Sequence, residues 1–169
     1  MAHDDRCIDP HHHVHSGDAF VAEVERACED RGLRLTPLRA SALRLIADAG
    51  RPLKAYELLD RMKATHEGAA PPTVYRALDF LLENGFIHKL SSINAFVACH
   101  HPGGERHAVP FLICDACQSA IELEDLQVVK LLDDRATALG FRPRAQTLEV
   151  HGLCADCAAA DVPDPADRG

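Results

Sequence analysis

No stretch of this 169-residue chain approaches the roughly 20 consecutive apolar residues that a helix needs to cross a bilayer. The opening MAHDDRCIDPHHHVH lacks the apolar run of a secretory signal. Both absences lead us to expect a cytoplasmic protein with no membrane partner. Thiols stay reduced in that compartment, so disulfides are not the first explanation for the seven cysteines; metal ligands or redox groups are. Positive charge is scarce as well, with 18 Lys/Arg against 26 Asp/Glu and a net charge of -8, which argues at first against a nucleic-acid partner. No internal repeat is evident.

The charge deficit is uneven along the chain. Residues 31 to 90 hold ten Lys/Arg against six Asp/Glu, a net +4, and the acidic excess falls in the flanks. A mildly basic module therefore sits between acidic segments. The length suits two compact modules of roughly 60 to 80 residues, each with a thin core of the kind that a structural metal or dimerisation commonly reinforces.

The hydrophobic period assigns the elements. Residues 1–17 are polar and His-rich and read as a disordered tail, dispensable rather than metal-gathering. From Asp18 a helix is expected, with Phe20, Val21, Val24, Ala27 and Cys28 on one face and Gly32 as its stop; Cys28 reads as a core residue. A second helix follows with Thr36 as N-cap, Pro37 at the first position and a stripe of Leu38, Ala42, Leu45, Ile46 and Ala49. KAYELLDRMKA gives a third, with Leu58, Leu59 and Met62 inward. PPTVYRALDFLLENG gives a fourth, with Val74, Leu78, Leu81 and Leu82 inward and Asn84-Gly85 at its end. The period then shifts to that of strands: GFIHKL and NAFVAC, joined by SSI, read as a hairpin, the layout of a winged helix-turn-helix.

Beyond a Gly- and Pro-rich hinge, FLIC and AIELE read as strands. DLQVVKLLDDRATALG reads as a helix with Leu126, Val129, Leu132, Ala136 and Leu139 inward and Gly140 as its cap, TLEVHGLC as a last strand, and the acidic, Pro-rich end as disordered. The fold class is α+β: an N-terminal winged helix-turn-helix followed by a small α/β domain.

Cys114-x-x-Cys117 and Cys154-x-x-Cys157 are the strongest chemical signal. Four thiolates suit a closed tetrahedral zinc site with no position open for chemistry, and the 36 residues between the pairs exceed the loop of a simple zinc ribbon. The fold must bring the pairs together, and the metal then clamps it. His88, Cys99, His100, His101, His107, Glu122 and His151 are left as further donors, and spacing does not choose among them. On the fourth helix, Thr73, Tyr75 and Arg76 lie in the first turns, where free backbone N–H groups are expected. Arginine is the commonest bidentate reader of guanine, and recognition helices touch bases near their N-terminus.

LRLTPLR at 33–39, AYELLD at 55–60, PPTVYRALDFLLENGFIHKL at 71–90, FLICDAC at 111–117 and HGLCADC at 151–157 together resemble the ferric uptake regulator family, and within it the zinc uptake regulator branch. The resemblance implies a homodimeric, zinc-responsive repressor that binds double-stranded operator DNA and carries two zinc ions per protomer. It implies a winged-helix DNA-binding domain at 18–98, a metal-binding hinge at 99–110, an α/β dimerisation domain at 111–157 and a disordered tail at 158–169. Matched motif by motif, it assigns Cys114, Cys117, Cys154 and Cys157 to structural zinc and His88, Cys99, His107 and Glu122 to regulatory zinc. His100 and His101 are alternates to His107. Arg76 matches a base-reading arginine, and Tyr56 a tyrosine that assists it.

Two other readings compete. A zinc hydrolase or deaminase with Glu122 as base would need an open coordination position, which a four-ligand set does not leave. A sensor of peroxide or of another metal is disfavoured by the thiolate of Cys99, since iron and manganese suit all-N/O sites.

Overall fold

The computed structural model describes residues 16–66, 69–99, 102, 109–123, 125–142 and 148–160, in two compact units divided between 106 and 107. The tail expected at 1–17 (described only from Ser16), most of the hinge with His100, His101 and His107, and residues 161–169 lie outside the described residues. No helix among the described residues is long and apolar enough to cross a membrane.

The first unit starts with α1 (Gly17–Asp30), capped by Ser16, whose hydroxyl accepts from the Ala19 N–H at 3.3 Å. Phe20, Val21, Val24 and Cys28 are buried, as the 3.6-residue period predicts. Asp48 accepts from the Gly17 N–H at 2.7 Å, and Asp18 pairs with Arg44 at 2.6 Å; both tie α1 to α2 (Pro37–Asp48). Two expectations for α2 need correction. Thr36 takes the cap position but makes no side-chain cap bond. The buried face is Ala42, Leu43 and Ile46, while Leu38, Leu45 and Ala49 are only half-buried. The reason is that α2 packs against three helices, α1, α3 (Ala55–Lys63) and α4 (Pro71–Glu83), so its burial extends round to Leu43.

Lys54, expected to open the third helix, instead joins Leu53 in β1 (Leu53–Lys54), paired with β3 (Ala95–Ala98) through Leu53↔Phe96. α3 then starts at Ala55, where the Glu57 carboxylate accepts from the Lys54 N–H at 3.0 Å and from Arg51 at 2.7 Å. The Arg51 hydrogen bond holds the Glu57 carboxyl below its usual range, with the Lys54 N–H assisting. α3 buries Leu58 and Met62, and α4 buries Val74, Ala77, Leu78 and Leu81. Leu59 and Leu82 are half-buried. Gly85, at φ +72, ends α4 in a conformation that disfavours any residue with a Cβ.

The hairpin of β2 (Ile87–Leu90) and β3 completes an antiparallel sheet in the order β1-β3-β2, with His88 opposite Val97 and Ile87 opposite Ala98. Strand alternation turns Ile87, Phe96 and Ala98 towards the helical core, and so turns His88 and Val97 to the other face. The four-residue turn 91–94 closes through Asn94 at φ 48, one residue longer than expected.

In the second unit the central strand is β4 (Pro110–Cys114). β5 (Ala120–Glu122) pairs with it antiparallel and β6 (Leu148–Gly152) parallel. α5 (Leu126–Ala138) is capped by Asp125, whose carboxylate accepts from the Gln127 N–H at 2.8 Å. Its expected inward stripe is overturned in part. Val129 and Ala136 are half-buried, but Leu132 and Leu139 are exposed, Leu139 at 86%; the side chain of Leu126 is outside the described set. α5 packs extensively on no other described element, so none of the described elements broadly covers this stripe. Leu112 and Val150, paired across β4 and β6, are exposed as well. The chain then forms α6 (Ala155–Ala159), a short helix in place of the expected start of the tail.

The revised α2 face is testable by chemical denaturation. Leu43→Ala, at a fully buried site, is expected to cost about 2–5 kcal/mol, and Leu38→Ala clearly less. Equal costs would contradict the assignment.

Candidate metal centre and nucleic-acid interface

Cys114 ends β4 and Cys117 closes the tight turn that follows. Cys154 caps α6 and Cys157 lies in its first turn. The parallel pairing of β4 with β6 sets Cys114 opposite Gly152, which brings the two CxxC turns to the same sheet end. All four Sγ atoms lie within 4.8 Å of one another, with Cys117 and Cys154 at 3.8 Å. A group this tight could hold one metal ion, and four thiolates suit tetrahedral coordination.

Its protonation is uneven. Burial pushes the Cys114 thiol up, yet the backbone N–H groups of Cys117, Cys154 and Ala116 aimed at its sulfur outweigh that and bring its pKa down to about 6. One of these donors, the Cys154 N–H, lies 3.3 Å from the Cys114 sulfur. Cys117 is lowered, first by the Ser119 hydroxyl at 3.1 Å. Cys157 is pushed up to about 12, first by its hydrogen bond with Cys154 and then by burial. The cluster thus already favours thiolate at some sulfurs and holds protons at others. Four thiolates crowded together repel, so a divalent cation that replaces those protons suits the donor set.

In the first unit, strand pairing continues one residue past β3: the Cys99 N–H donates to the Phe86 carbonyl at 3.0 Å. Alternation therefore puts Cys99 on the same face as Val97 and His88, away from the helices, and the His88 and Cys99 donor atoms lie within 4.8 Å. Cys99 is buried and His88 half-buried. In the second unit Glu122 ends β5 opposite Phe111 and is only 4% exposed, an uncommon environment for a carboxylate. His107 lies outside the described residues, as do His100 and His101.

On α4, Tyr75 and Arg76 project to solvent, Tyr75 at 54% exposure, and Thr73 is half-buried. Tyr56, the second residue of α3, is 61% exposed. The free N–H groups expected at the start of α4 are not there. Pro71 and Pro72 carry none, and the Ala70 carbonyl takes the N–H groups of Thr73 and Val74 at 3.0 and 3.1 Å. Side chains, rather than backbone donors, must carry any recognition by this helix end. Arg39 stacks on Phe80 with its guanidinium 3.6 Å from the ring centroid and donates to the Arg34 carbonyl at 2.7 Å, bracing α2 against α4.

Sequence reasoning missed one polar feature beside the thiolates. His151, grouped there with uncommitted metal donors, has its Nδ1 2.8 Å from the Asp115 carboxylate, inside the first CxxC turn. The pairing depends on the parallel register of β4 and β6, which no local motif announces.

The ferric uptake regulator family model matches residues 30–151. The chain is 41% identical over 143 residues to the zinc uptake regulation protein of Escherichia coli (strain K12), covering 85% of this chain and 84% of that one. It is similar to the crystal structure of holo XcZur, with a TM-score of 0.79 and 70% identity over 84% of this chain and 99% of that one. It is also similar to a zinc uptake regulator complexed with zinc and DNA, with a TM-score of 0.83 and 39% identity over 88% and 99% of the two chains. The chain belongs to the ferric uptake regulator family.

Proposed function

We propose that this protein is a zinc-responsive, DNA-binding transcriptional repressor of zinc uptake and homeostasis genes, acting in the cytoplasm as a homodimer. The observation that carries the reading is the position of His88 and Cys99, a metal-ligating pair on the hairpin of the winged-helix unit, on the face opposite its core. A metal bound there acts on the domain that meets DNA. The relatives are regulators, among them a zinc uptake regulator solved with zinc and DNA, and nothing in either donor set calls for an enzyme.

Two zinc ions per protomer divide the work. Cys114, Cys117, Cys154 and Cys157 hold the structural ion. His88, Cys99, His107 and Glu122 hold the regulatory one, with His100 and His101 as alternates in the hinge. One thiolate among two imidazoles and a carboxylate favours zinc over iron or manganese. Residues 18–98 form the DNA-binding domain, 99–110 the hinge and 111–157 the dimerisation domain. The exposed Leu112, Val150, Leu132 and Leu139 are an apolar surface that a second copy would cover.

The four regulatory donors come from wing, hinge and dimerisation domain, so one ion binding all of them restricts the angle between domains. Zinc then shifts the population towards a dimer whose two recognition helices fit successive major grooves, and operator DNA must tighten regulatory zinc by the same factor. Arg76 reads a purine, with Tyr56, Thr73 and Tyr75 alongside it. The acidic flanks make the dimer negative, so binding relies on locally placed arginines and weakens with salt.

Two variants test this division. Cys99→Ser is expected to abolish zinc-dependent operator binding while leaving a dimer that retains one zinc per protomer, measured by metal analysis and sedimentation; loss of the dimer would contradict the assignment. Arg76→Ala is expected to lose ~1–3 kcal/mol of discrimination between operator and altered operator, read by fluorescence anisotropy. An unchanged ratio would remove Arg76 from base readout.

A further inference from the structure

The two CxxC turns lie 36 residues apart in the chain and on parallel strands, so no hairpin turn aligns them. Beyond the contacts among the sulfurs themselves, three links among the described residues do so. The Asp115 N–H donates to the Gly152 carbonyl at 2.8 Å, which carries the β4–β6 pairing one step into the first turn. The Cys154 N–H reaches the Cys114 sulfur. The third link is the imidazole of His151 on the Asp115 carboxylate, and it alone is made by side chains that are not zinc ligands.

We propose that Asp115 and His151 form a positioning pair for the four-thiolate metal centre, setting the separation and twist of the two CxxC turns so that their sulfurs converge on one ion. This rests on the reading of those cysteines as a zinc site. His151 stands opposite Ile113 on β6, one residue before the Gly152 that faces Cys114. Asp115 sits between the two cysteines of the first pair. A carboxylate oxygen accepts, so the imidazole Nδ1–H is the donor, and the bond fixes both the His151 ring and the backbone between Cys114 and Cys117. Each side chain is about one-third exposed, His151 at 35% and Asp115 at 30%. A pair so exposed adds little to folding by itself. Its effect appears where small errors in ligand placement matter, at the metal, where loss of an outer partner typically weakens binding about 10–100-fold.

The experiment compares the full-length dimer with His151→Asn, His151→Phe and Asp115→Ala. Asparagine keeps an N–H donor near the Nδ1 position, whereas phenylalanine keeps the ring without it. Zinc retention is measured by competition with a chromophoric chelator, and ligand geometry by the visible spectrum of the cobalt-substituted protein. We expect His151→Phe and Asp115→Ala each to release structural zinc about 10–100-fold more readily and to alter the cobalt d–d bands, with the double variant no worse than either. His151→Asn should stay near the unmodified protein. Equal retention in the Asn and Phe variants, or additive losses in the double, would overturn the pairing role. If the unmodified protein shows no thiolate-to-cobalt charge transfer, the zinc site itself fails and the proposal with it; a normal band there with unaffected variants removes the positioning pair alone.

Discussion

Four cysteine sulfurs gathered within 4.8 Å are the constraint on which the second unit depends. Four full thiolates at that range repel, and protons join the sulfurs only through weak thiol hydrogen bonds such as Cys117–Cys154 at 3.8 Å, so a cation suits the cluster better than protons do. The sequence nevertheless builds it, with one pair at the end of β4, the other at the start of α6, and a parallel pairing that brings them level. Its described residues form three short strands, the short α6 and one longer helix that packs on little else, a thin core of the kind a structural metal commonly reinforces. A divalent ion bound there would outweigh the repulsion among the sulfurs and close the sheet end. The remaining apolar surface, at Leu112, Val150 and on α5, is what the proposed second copy would cover.

The first unit is held differently. Its core runs through four helices and one face of a three-stranded sheet, with Leu43, Leu53, Leu58, Met62 and Leu81 fully buried. The opposite face of the same sheet takes no part in that core. Alternation along β3 commits Phe96 and Ala98 to the core, which obliges Val97 and Cys99 to point away from it, beside His88. In the proposed reading this unit carries a metal-binding pair on its hairpin, and metal serves alignment rather than folding.

The helical periods and the two CxxC motifs made most of this legible in the sequence, because both are local signals. α1, α3 and α4 follow their apolar stripes closely. What escaped reading was set by tertiary context. Leu43 is buried because α2 meets three helices, a circumstance invisible from a single stripe. β1 is two residues long and exists only because Phe96 lies across from Leu53. The α5 stripe was legible as apolar but not as uncovered, since coverage depends on what packs against it and no described element does so broadly. At the sites, the cysteines announced themselves by spacing. His151 did not, because its link to Asp115 follows from a parallel register, and the regulatory ligands required a family resemblance to be selected from seven candidates.

The central claim is that zinc governs DNA binding through a site other than the four-thiolate centre. Its most direct measurement is operator binding by the unmodified protein titrated against buffered free zinc, with bound metal counted at each point. The account predicts that binding appears as occupancy rises from one to two zinc per protomer, with a half-point that shifts to lower zinc when operator is present. Full operator binding at one zinc per protomer, or a second zinc that fills with no change in binding, would contradict it.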